Sequence, residues 1–146
     1  MKINEQLIIN RPIHLLFNLL HDYDRRLEWD PFLSEAKIIS RKVGIGCIVR
    51  STEKKLGLSM DTEYVSFKPP KLAAIRMIQG PTFLDTFTGT WLLEELSQSE
   101  TKIRFHYNVV GKPRFISYFL APLFRYESRR RLKALQKFAY SSLSRP

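Results

Sequence analysis

The sequence predicts an α+β domain in which seven antiparallel strands are followed by one long C-terminal helix. Two observations support this prediction. Residues 35–110 hold short apolar runs separated by turn-forming residues, a pattern typical of a strand meander. From residue 112 onward, apolar residues recur at steps of three and four, the spacing of one helix face. The 146 residues contain no internal repeat and no linker-like tract, so we expect one domain over residues 1–146.

The first thirty residues are predicted to form one strand and two short helices. An apolar run over residues 2–10 ends before Pro12, and proline is well suited to the first turn of a helix. The next apolar residues cover one side of a helix that begins at Ile13. A second helix is expected over residues 25–29, with a side-chain acceptor just before it as the cap. Pro31 ends this helix, because the residue before a proline is pushed out of helical geometry.

Six further strands are expected, each bounded by turns rich in glycine, proline or serine. They cover residues 35–41, 47–54, 59–67, 71–79, 82–94 and 101–110. Period-two alternation is clearest in the last two strands. The alternating residues are mostly aromatic: Phe83, Phe87, Trp91 and Leu93 in the sixth strand, and Ile103, Phe105, Tyr107 and Val109 in the seventh. We expect these two faces to lie on the concave side of the sheet.

The last predicted element is a helix over residues 112–143. Its inward face is formed by Leu120, Phe124, Ser128, Leu132, Leu135 and Phe138. Pro122 lies inside this pattern. Because proline removes a backbone donor and clashes with the preceding turn, we expect Pro122 to kink the helix or to divide off a first short segment.

Two sequence blocks indicate a family. Residues 27–32 read Leu-Glu-Trp-Asp-Pro-Phe, and residues 67–72 read Phe-Lys-Pro-Pro-Lys-Leu. With Gly46, Trp91 and Thr101 in the same order, the chain resembles the START-like (SRPBCC) superfamily, and specifically its polyketide cyclase/dehydrase-like branch. The resemblance implies a helix-grip fold, in which a curved antiparallel sheet wraps a long C-terminal helix packed across its concave face. It also implies an internal cavity between sheet and helix that binds a hydrophobic ligand.

Candidate ligand-contacting residues follow from the expected inward faces. They are Trp29, Met60, Thr62, Tyr64, Phe83, Phe87, Trp91, Phe105, Tyr107, Leu120, Phe124, Ser128 and Leu132. Tyr107 is the leading polar candidate, because its hydroxyl needs a partner when buried.

Trp29 and three further residues have two interpretations each. Trp29 either closes one end of the cavity or staples the short helices to the sheet, and the second is favoured. For Asp30 we favour a turn-capping carboxylate over an acid/base role. Arg50 and Arg76 either meet an acidic ligand or pair with carboxylates on the outer surface, and the pairing is favoured.

The leading functional hypothesis is non-catalytic binding, either carriage or sensing, of a hydrophobic small molecule or lipid. The alternative is a polyketide cyclase/dehydrase-like enzyme, in which Tyr107, Arg76 and a cavity acid would take part while the cavity confines a reactive chain. No catalytic residue is assigned, because the sequence lacks a nucleophile elbow, a phosphate-binding glycine loop and a Cys-His arrangement.

A third hypothesis rests on charge. The formal net charge is +10, and residues 113–146 hold eight lysines and arginines against the single Glu127, which gives +7. The candidate surface residues are Arg125, Arg129, Arg130, Lys133 and Lys137. Such a strip favours contact with an anionic membrane or, as the less favoured partner, RNA. A solvated helix face that keeps the protein soluble is an equally good interpretation.

Other partners are not expected. The three histidines, His14, His21 and His106, lack ligand spacing, so we expect neither a metal nor another cofactor. Cys47 is the only cysteine, which rules out an internal disulfide and suits a reducing compartment. With no secretory signal or membrane-spanning apolar run in the sequence, a cytoplasmic location is expected.

Overall fold

The computed structural model describes residues 1–143 and confirms the helix-grip fold. Seven strands form one antiparallel sheet, with two short helices after the first strand and a long helix at the end. The elements are β1 (Lys2–Ile9), α1 (Ile13–Leu20), α2 (Arg26–Trp29), β2 (Leu33–Ile38), β3 (Ile48–Glu53), β4 (Ser59–Lys68), β5 (Leu72–Gln79), β6 (Leu84–Ser97), β7 (Glu100–Gly111) and α3 (Ile116–Ser142).

The sheet order is β1-β7-β6-β5-β4-β3-β2. Strands β2 to β7 form a meander, and β1 pairs with β7 at one edge, with Ile3 opposite Tyr107 and Ile9 opposite Thr101. Helices α1 and α2 carry the chain from β1 to the opposite edge, where β2 begins. Helix α3 returns across the sheet and contacts β1, β7 and α2.

The alternation predicted for the last strand is present in β7. Every second residue from Thr101 to Gly111 is buried, while the residues between them are exposed or half-buried. Phe87, Trp91 and Leu93 are buried on the same side of β6. Because side chains in a strand alternate between faces, this single pattern directs the aromatic rings of both strands toward α3.

Two details of the terminal helix differ from the prediction. Helix α3 begins at Ile116 rather than at residue 112, because residues 112–115 form turns that lead into it. It then runs without a break through Pro122, so no separate first segment exists. Proline removes one intrahelical hydrogen bond here, the bond to the carbonyl of Tyr118, and Tyr118 is an exposed residue.

Candidate ligand cavity

A cavity of about 400 Å³ lies between the sheet and α3. Its wall is mostly apolar, and its size falls within the range of small-molecule sites. Ten of the candidate ligand-contacting residues lie on this wall: Met60, Thr62, Tyr64, Phe83, Phe87, Trp91, Tyr107, Leu120, Phe124 and Ser128. They come from β4, from β6 and the loop before it, from β7 and from α3, so the cavity exists only in the folded chain.

The other three candidates, Trp29, Phe105 and Leu132, are buried in the core and do not belong to the cavity wall. Phe105 is covered by Arg131, whose guanidinium carbon lies 5.7 Å from the ring centroid. The ring of Trp29 packs against the guanidinium group of Arg26 at 4.7 Å. Both arginines lie on the cavity wall, whereas the two rings that they contact do not.

The exposed members of the wall mark the cavity mouth. Lys55 and Leu56 come from the β3–β4 hairpin, and Leu123 comes from the first half of α3. Lys55 Nζ lies 3.8 Å from Oε1 of the buried Glu127, so an ion pair connects hairpin and helix beside the mouth.

A buried ionic cluster forms the inner end of the cavity. Oδ2 of Asp30 accepts hydrogen bonds from Arg26 Nε at 2.9 Å and from Arg131 Nε at 3.1 Å, while Arg131 Nη2 lies 2.9 Å away. Oδ1 of Asp30 accepts the backbone N–H of Phe32 at 3.0 Å. The side chain of Asp30 is fully buried. The cluster thus joins the turn after α2 to the middle of α3.

Charge pairing keeps this cluster ionised. Burial raises the pKa of Asp30, but the guanidinium groups of Arg131 and Arg26 outweigh burial, and the pKa lies below its ordinary value. Burial opposes the Arg131 cation as well, yet Asp30 outweighs it and raises the pKa of Arg131. The site therefore holds two cations and one anion.

Tyr107 connects the cluster to the sheet. Arg131 Nη1 donates a hydrogen bond to the Tyr107 hydroxyl at 2.6 Å. Burial raises the pKa of Tyr107, so the phenol stays protonated. The ring lies against Gly89 on the neighbouring strand, where a β-carbon would come within 2.8 Å of Tyr107 Cε1. Glycine at this position is what allows the ring to lie close to the sheet.

A second polar group on the wall contains His21, Tyr23 and Tyr64. The Tyr64 hydroxyl hydrogen-bonds to Nδ1 of His21 at 2.7 Å and also to the hydroxyl of Tyr23. Burial, helped by the positive charge of Arg26, lowers the pKa of His21 to about 3, so the imidazole is neutral near pH 7. Burial raises the pKa of Tyr64. This group is therefore a chain of uncharged donors and acceptors.

Sequence reasoning predicted part of this site and missed the rest. The turn-capping role of Asp30 is confirmed by its bond to Phe32, but its bonds to two arginines were not foreseen. Arg131 entered the sequence analysis only as one of the eight lysines and arginines of residues 113–146. Its position was a usable signal, because it lies three residues after Ser128 and four before Leu135, on the inward helix face. For His21 and Tyr23 the sequence carried no comparable signal.

The candidate surface residues Arg125, Arg129, Arg130, Lys133 and Lys137 are all exposed on α3. Two of them form ion pairs: Arg129 with Glu5 at 2.9 Å and Arg130 with Glu127 at 3.5 Å. Within residues 1–143 the other three have no acidic partner within 4 Å.

On the outer surface, the favoured pairing of the two strand arginines is confirmed. Arg50 contacts Asp61 at 2.9 and 3.0 Å, and Arg76 contacts Glu63 at 3.2 Å. Neither arginine lies on the cavity wall, which removes Arg76 from the enzyme hypothesis.

Two further observations concern residues 1–143. No helix there combines the length and apolar character needed to cross a bilayer. No cluster of three or more His, Cys, Asp or Glu side chains in that range has the geometry to hold a metal ion.

A helix gripped by a curved sheet over a mostly apolar cavity defines a class of hydrophobic ligand-binding domains. The chain belongs to the family described as "Polyketide cyclase / dehydrase and lipid transport", whose model matches residues 1–139. No curated protein matches the sequence significantly.

Solved structures with the same fold include enzymes. The Zhui aromatase/cyclase from Streptomyces sp. R1128 superposes with a TM-score of 0.85 at 15% identity, covering 99% of this chain and 96% of that one. Norcoclaurine synthase from Thalictrum flavum, in complex with dopamine and hydroxybenzaldehyde, gives a TM-score of 0.76 at 15% identity, covering 99% and 89%. The protein TTHA0849 from Thermus thermophilus gives 0.81 at 14% identity, covering 99% and 100%. At these identities the similarity establishes the fold alone.

Proposed function

We propose that this protein binds a hydrophobic small molecule or lipid in the cavity between the sheet and α3, and carries or senses it. The observation that supports this most is a cavity of about 400 Å³ with a mostly apolar wall. A cavity of this size would collapse or be filled by side chains if it served only packing, because protein interiors are close-packed. An apolar ligand gains free energy in proportion to the area it buries there.

The first experiment compares the intact mass of natively purified protein before and after organic extraction, and identifies any released molecule. A bound lipid or aromatic compound at stoichiometric amount supports carriage and gives the ligand class.

A cavity-filling variant makes the test independent of what copurifies. Met60→Trp and Leu120→Trp place extra volume inside the wall, whereas Tyr118→Trp changes an exposed residue outside it. We expect the neutral dye Nile red to bind the wild type and the Tyr118 variant, and to bind the two cavity variants at least 10-fold more weakly. Equal binding by all four proteins would overturn the proposal.

The second candidate is a polyketide cyclase/dehydrase-like enzyme. It is favoured by polar groups on the wall that an inert container does not need, namely Tyr107 on Arg131 and the chain of His21, Tyr64 and Tyr23. Buried hydroxyl groups of this kind can donate protons to a confined substrate. Incubation with a poly-β-ketone or a β-hydroxy ketone, followed by mass spectrometry, tests for ring closure or loss of water. If wild type and Tyr64→Phe both form product no faster than the reaction without protein, the enzyme candidate is wrong.

A docking role at an anionic membrane is the third candidate. Phe115, Tyr118 and Phe119 are exposed at the start of α3, and Leu123 and Tyr126 continue this surface beside the mouth. Three exposed cations lie nearby in the chain: Arg125 on α3, and Lys54 and Lys55 on the β3–β4 hairpin that reaches the mouth. Aromatic rings and cations suit the headgroup region of an anionic bilayer. Binding to anionic vesicles that weakens with salt would support docking, and binding to RNA alone or to neither would exclude it.

A further inference from the structure

At the inner end of the cavity, the ionic cluster offers hydrogen-bond donors but no free acceptor. Oδ2 of Asp30 receives bonds from both Arg26 and Arg131, and Oδ1 receives the N–H of Phe32. The side chain is fully buried, so its oxygens are turned away from the cavity and toward these donors. A ligand that needs an acceptor would find none on this carboxylate.

Donors, by contrast, remain available. A guanidinium group has five N–H donors and no acceptor. Arg131 donates from Nε to Asp30 and from Nη1 to Tyr107, and its Nη2 lies 2.9 Å from the same Asp30 oxygen. At least two of its five N–H groups therefore remain. Because Tyr107 accepts this bond, its own O–H hydrogen is also free to donate.

Ser128 adds a third donor. Its Oγ is buried and has no hydrogen-bond partner within residues 1–143, although the residue lies on the cavity wall. A buried hydroxyl without a partner is destabilising, because nothing replaces the hydrogen bonds that it makes to water in the unfolded chain. Ser128 lies three residues before Arg131 on α3, which places both side chains on one face of the helix.

The charge at this end has the matching sign. Arg26 and Arg131 carry two positive charges against the one negative charge of Asp30. The other titratable groups on the wall are His21, Tyr23 and Tyr64, which are neutral near pH 7, and three charged residues toward the mouth, Glu53, Lys55 and Glu127. Glu127 pairs with Lys55 and Arg130, and the Glu53 carboxylate accepts backbone N–H groups of its own hairpin. An uncompensated buried cation is costly, and an anion beside it removes that cost.

We propose that the inner end of the cavity binds an anionic oxygen of the hydrophobic ligand, such as a carboxylate, phenolate or enolate, against Arg131, Tyr107 and Ser128. This inference rests on the proposed cavity binding and adds the chemical class of the ligand. The apolar body of the ligand packs against the wall toward the mouth, and its anionic oxygen accepts the hydrogen bond that Ser128 otherwise lacks.

The probe that tests this is 4-nitro-1-naphthol, whose ionised form absorbs at longer wavelength than its neutral form. Its methyl ether has the same ring system and no acidic hydrogen, so it reports on the cavity alone. Both are titrated with protein over a pH series. We expect the pKa of the bound naphthol to fall by at least one unit, which is a 10-fold preference for the anion.

Three variants locate the anion. Tyr107→Phe and Ser128→Ala each remove one hydroxyl with little loss of volume. Because hydrogen bonds to charged groups are strong, each should reduce the preference for the anion about 10-fold while leaving ether binding unchanged. Tyr118→Phe removes an exposed hydroxyl outside the cavity and is the matched control. If Tyr107→Phe fails to fold, Ser128→Ala still decides the question.

The outcomes separate the two proposals. If the ether binds but the naphthol pKa is unchanged or raised, the anion site is wrong and cavity binding stands. The anion site is equally wrong if the preference persists in both variants, because the dye then sits elsewhere, for example on the basic surface of α3. If neither probe binds, the cavity proposal fails and this inference fails with it.

Discussion

The two halves of α3 have opposite surroundings. In residues 116–127, here the mouth half, Tyr118 and Phe119 are 76% and 75% exposed. In residues 128–142, here the anchor half, Leu132, Leu135 and Ala139 are almost completely buried. The anchor half also bonds to β1 through Gln136, whose side chain donates to the carbonyl of Ile8 at 3.2 Å.

One continuous helix therefore has two roles. The anchor half closes the core and holds Arg131 in place, so its residues are constrained by packing. The mouth half contributes Leu120, Leu123 and Phe124 to one side of the cavity and leaves its outer side uncovered. The apolar side chains exposed on that outer side do not pack in the core. This is therefore the part of the helix that is free for a binding role.

The largest expected effect comes from the buried ionic cluster. Asp30→Ala leaves Arg26 and Arg131 buried without their shared anion. Removing one partner of a buried ion pair is strongly destabilising, so we expect the free energy of unfolding to fall by about 3–5 kcal/mol, measured by urea denaturation. Glu5→Ala is the control, because its partner Arg129 is exposed and such pairs contribute about 0–1 kcal/mol. Equal losses in the two variants would contradict a structural role for the cluster.

The next effect compares the two halves directly. Leu135 is fully buried in the anchor half, and its truncation in Leu135→Ala should cost about 2–5 kcal/mol of unfolding free energy. Phe119→Ala truncates a larger side chain in the mouth half, and we expect a change within about 0.5 kcal/mol. Thermal or urea unfolding of both variants measures the contrast. A loss of several kcal/mol in Phe119→Ala would show that the mouth half is packed in solution.

A smaller, pH-dependent effect is expected from His21. Its pKa is about 3 in the folded protein and near 6.5 when unfolded, so between these values the unfolded state binds more protons. The contribution of His21 to stability is therefore fully present above pH 6.5 and falls as pH decreases toward 3. The slope is at most about 1.4 kcal/mol per pH unit.

The variant His21→Gln measures this contribution, because an amide keeps a partner for Tyr64 and does not titrate. Relative to the variant, wild type should lose stability between pH 6.5 and pH 4. The exposed His14, changed to Gln, is the control. Parallel pH profiles for wild type and His21→Gln would mean that the imidazole is reached by water.

The smallest effect on stability is expected at the mouth. Lys55 is mostly exposed, and Lys55→Ala removes its 3.8 Å pair with Glu127. We expect unfolding free energy to change by less than about 1 kcal/mol. Because this pair connects the hairpin to the mouth half, stopped-flow release of Nile red should become about two- to threefold faster. Unchanged release would place the exchange path elsewhere.

Much of the fold was predictable from short-range pattern. The alternation in β7 and the three- and four-residue spacing in α3 are local properties. Each can be read from one segment of the chain, because the period of the apolar residues alone identifies the buried face. The start of α3 was placed four residues too early, because Pro113 is well suited to the first turn of a helix but lies here in the turns that precede it. The uninterrupted passage of α3 through Pro122 was not predicted either, because the spacing of residues does not encode whether the surrounding structure tolerates the lost hydrogen bond.

The strand faces, the inward face of α3 and the turn at Asp30 follow from local sequence, because these features depend on neighbours a few residues apart. The meeting of polar groups at the site depends instead on long-range packing. Asp30 and Arg131 are 101 residues apart in the chain, and Tyr107 joins them from a third element. Arg131 would be a solvated surface charge if nothing packed against it. It is buried because α2 and the sheet together cover it, since burial requires a partner on every side.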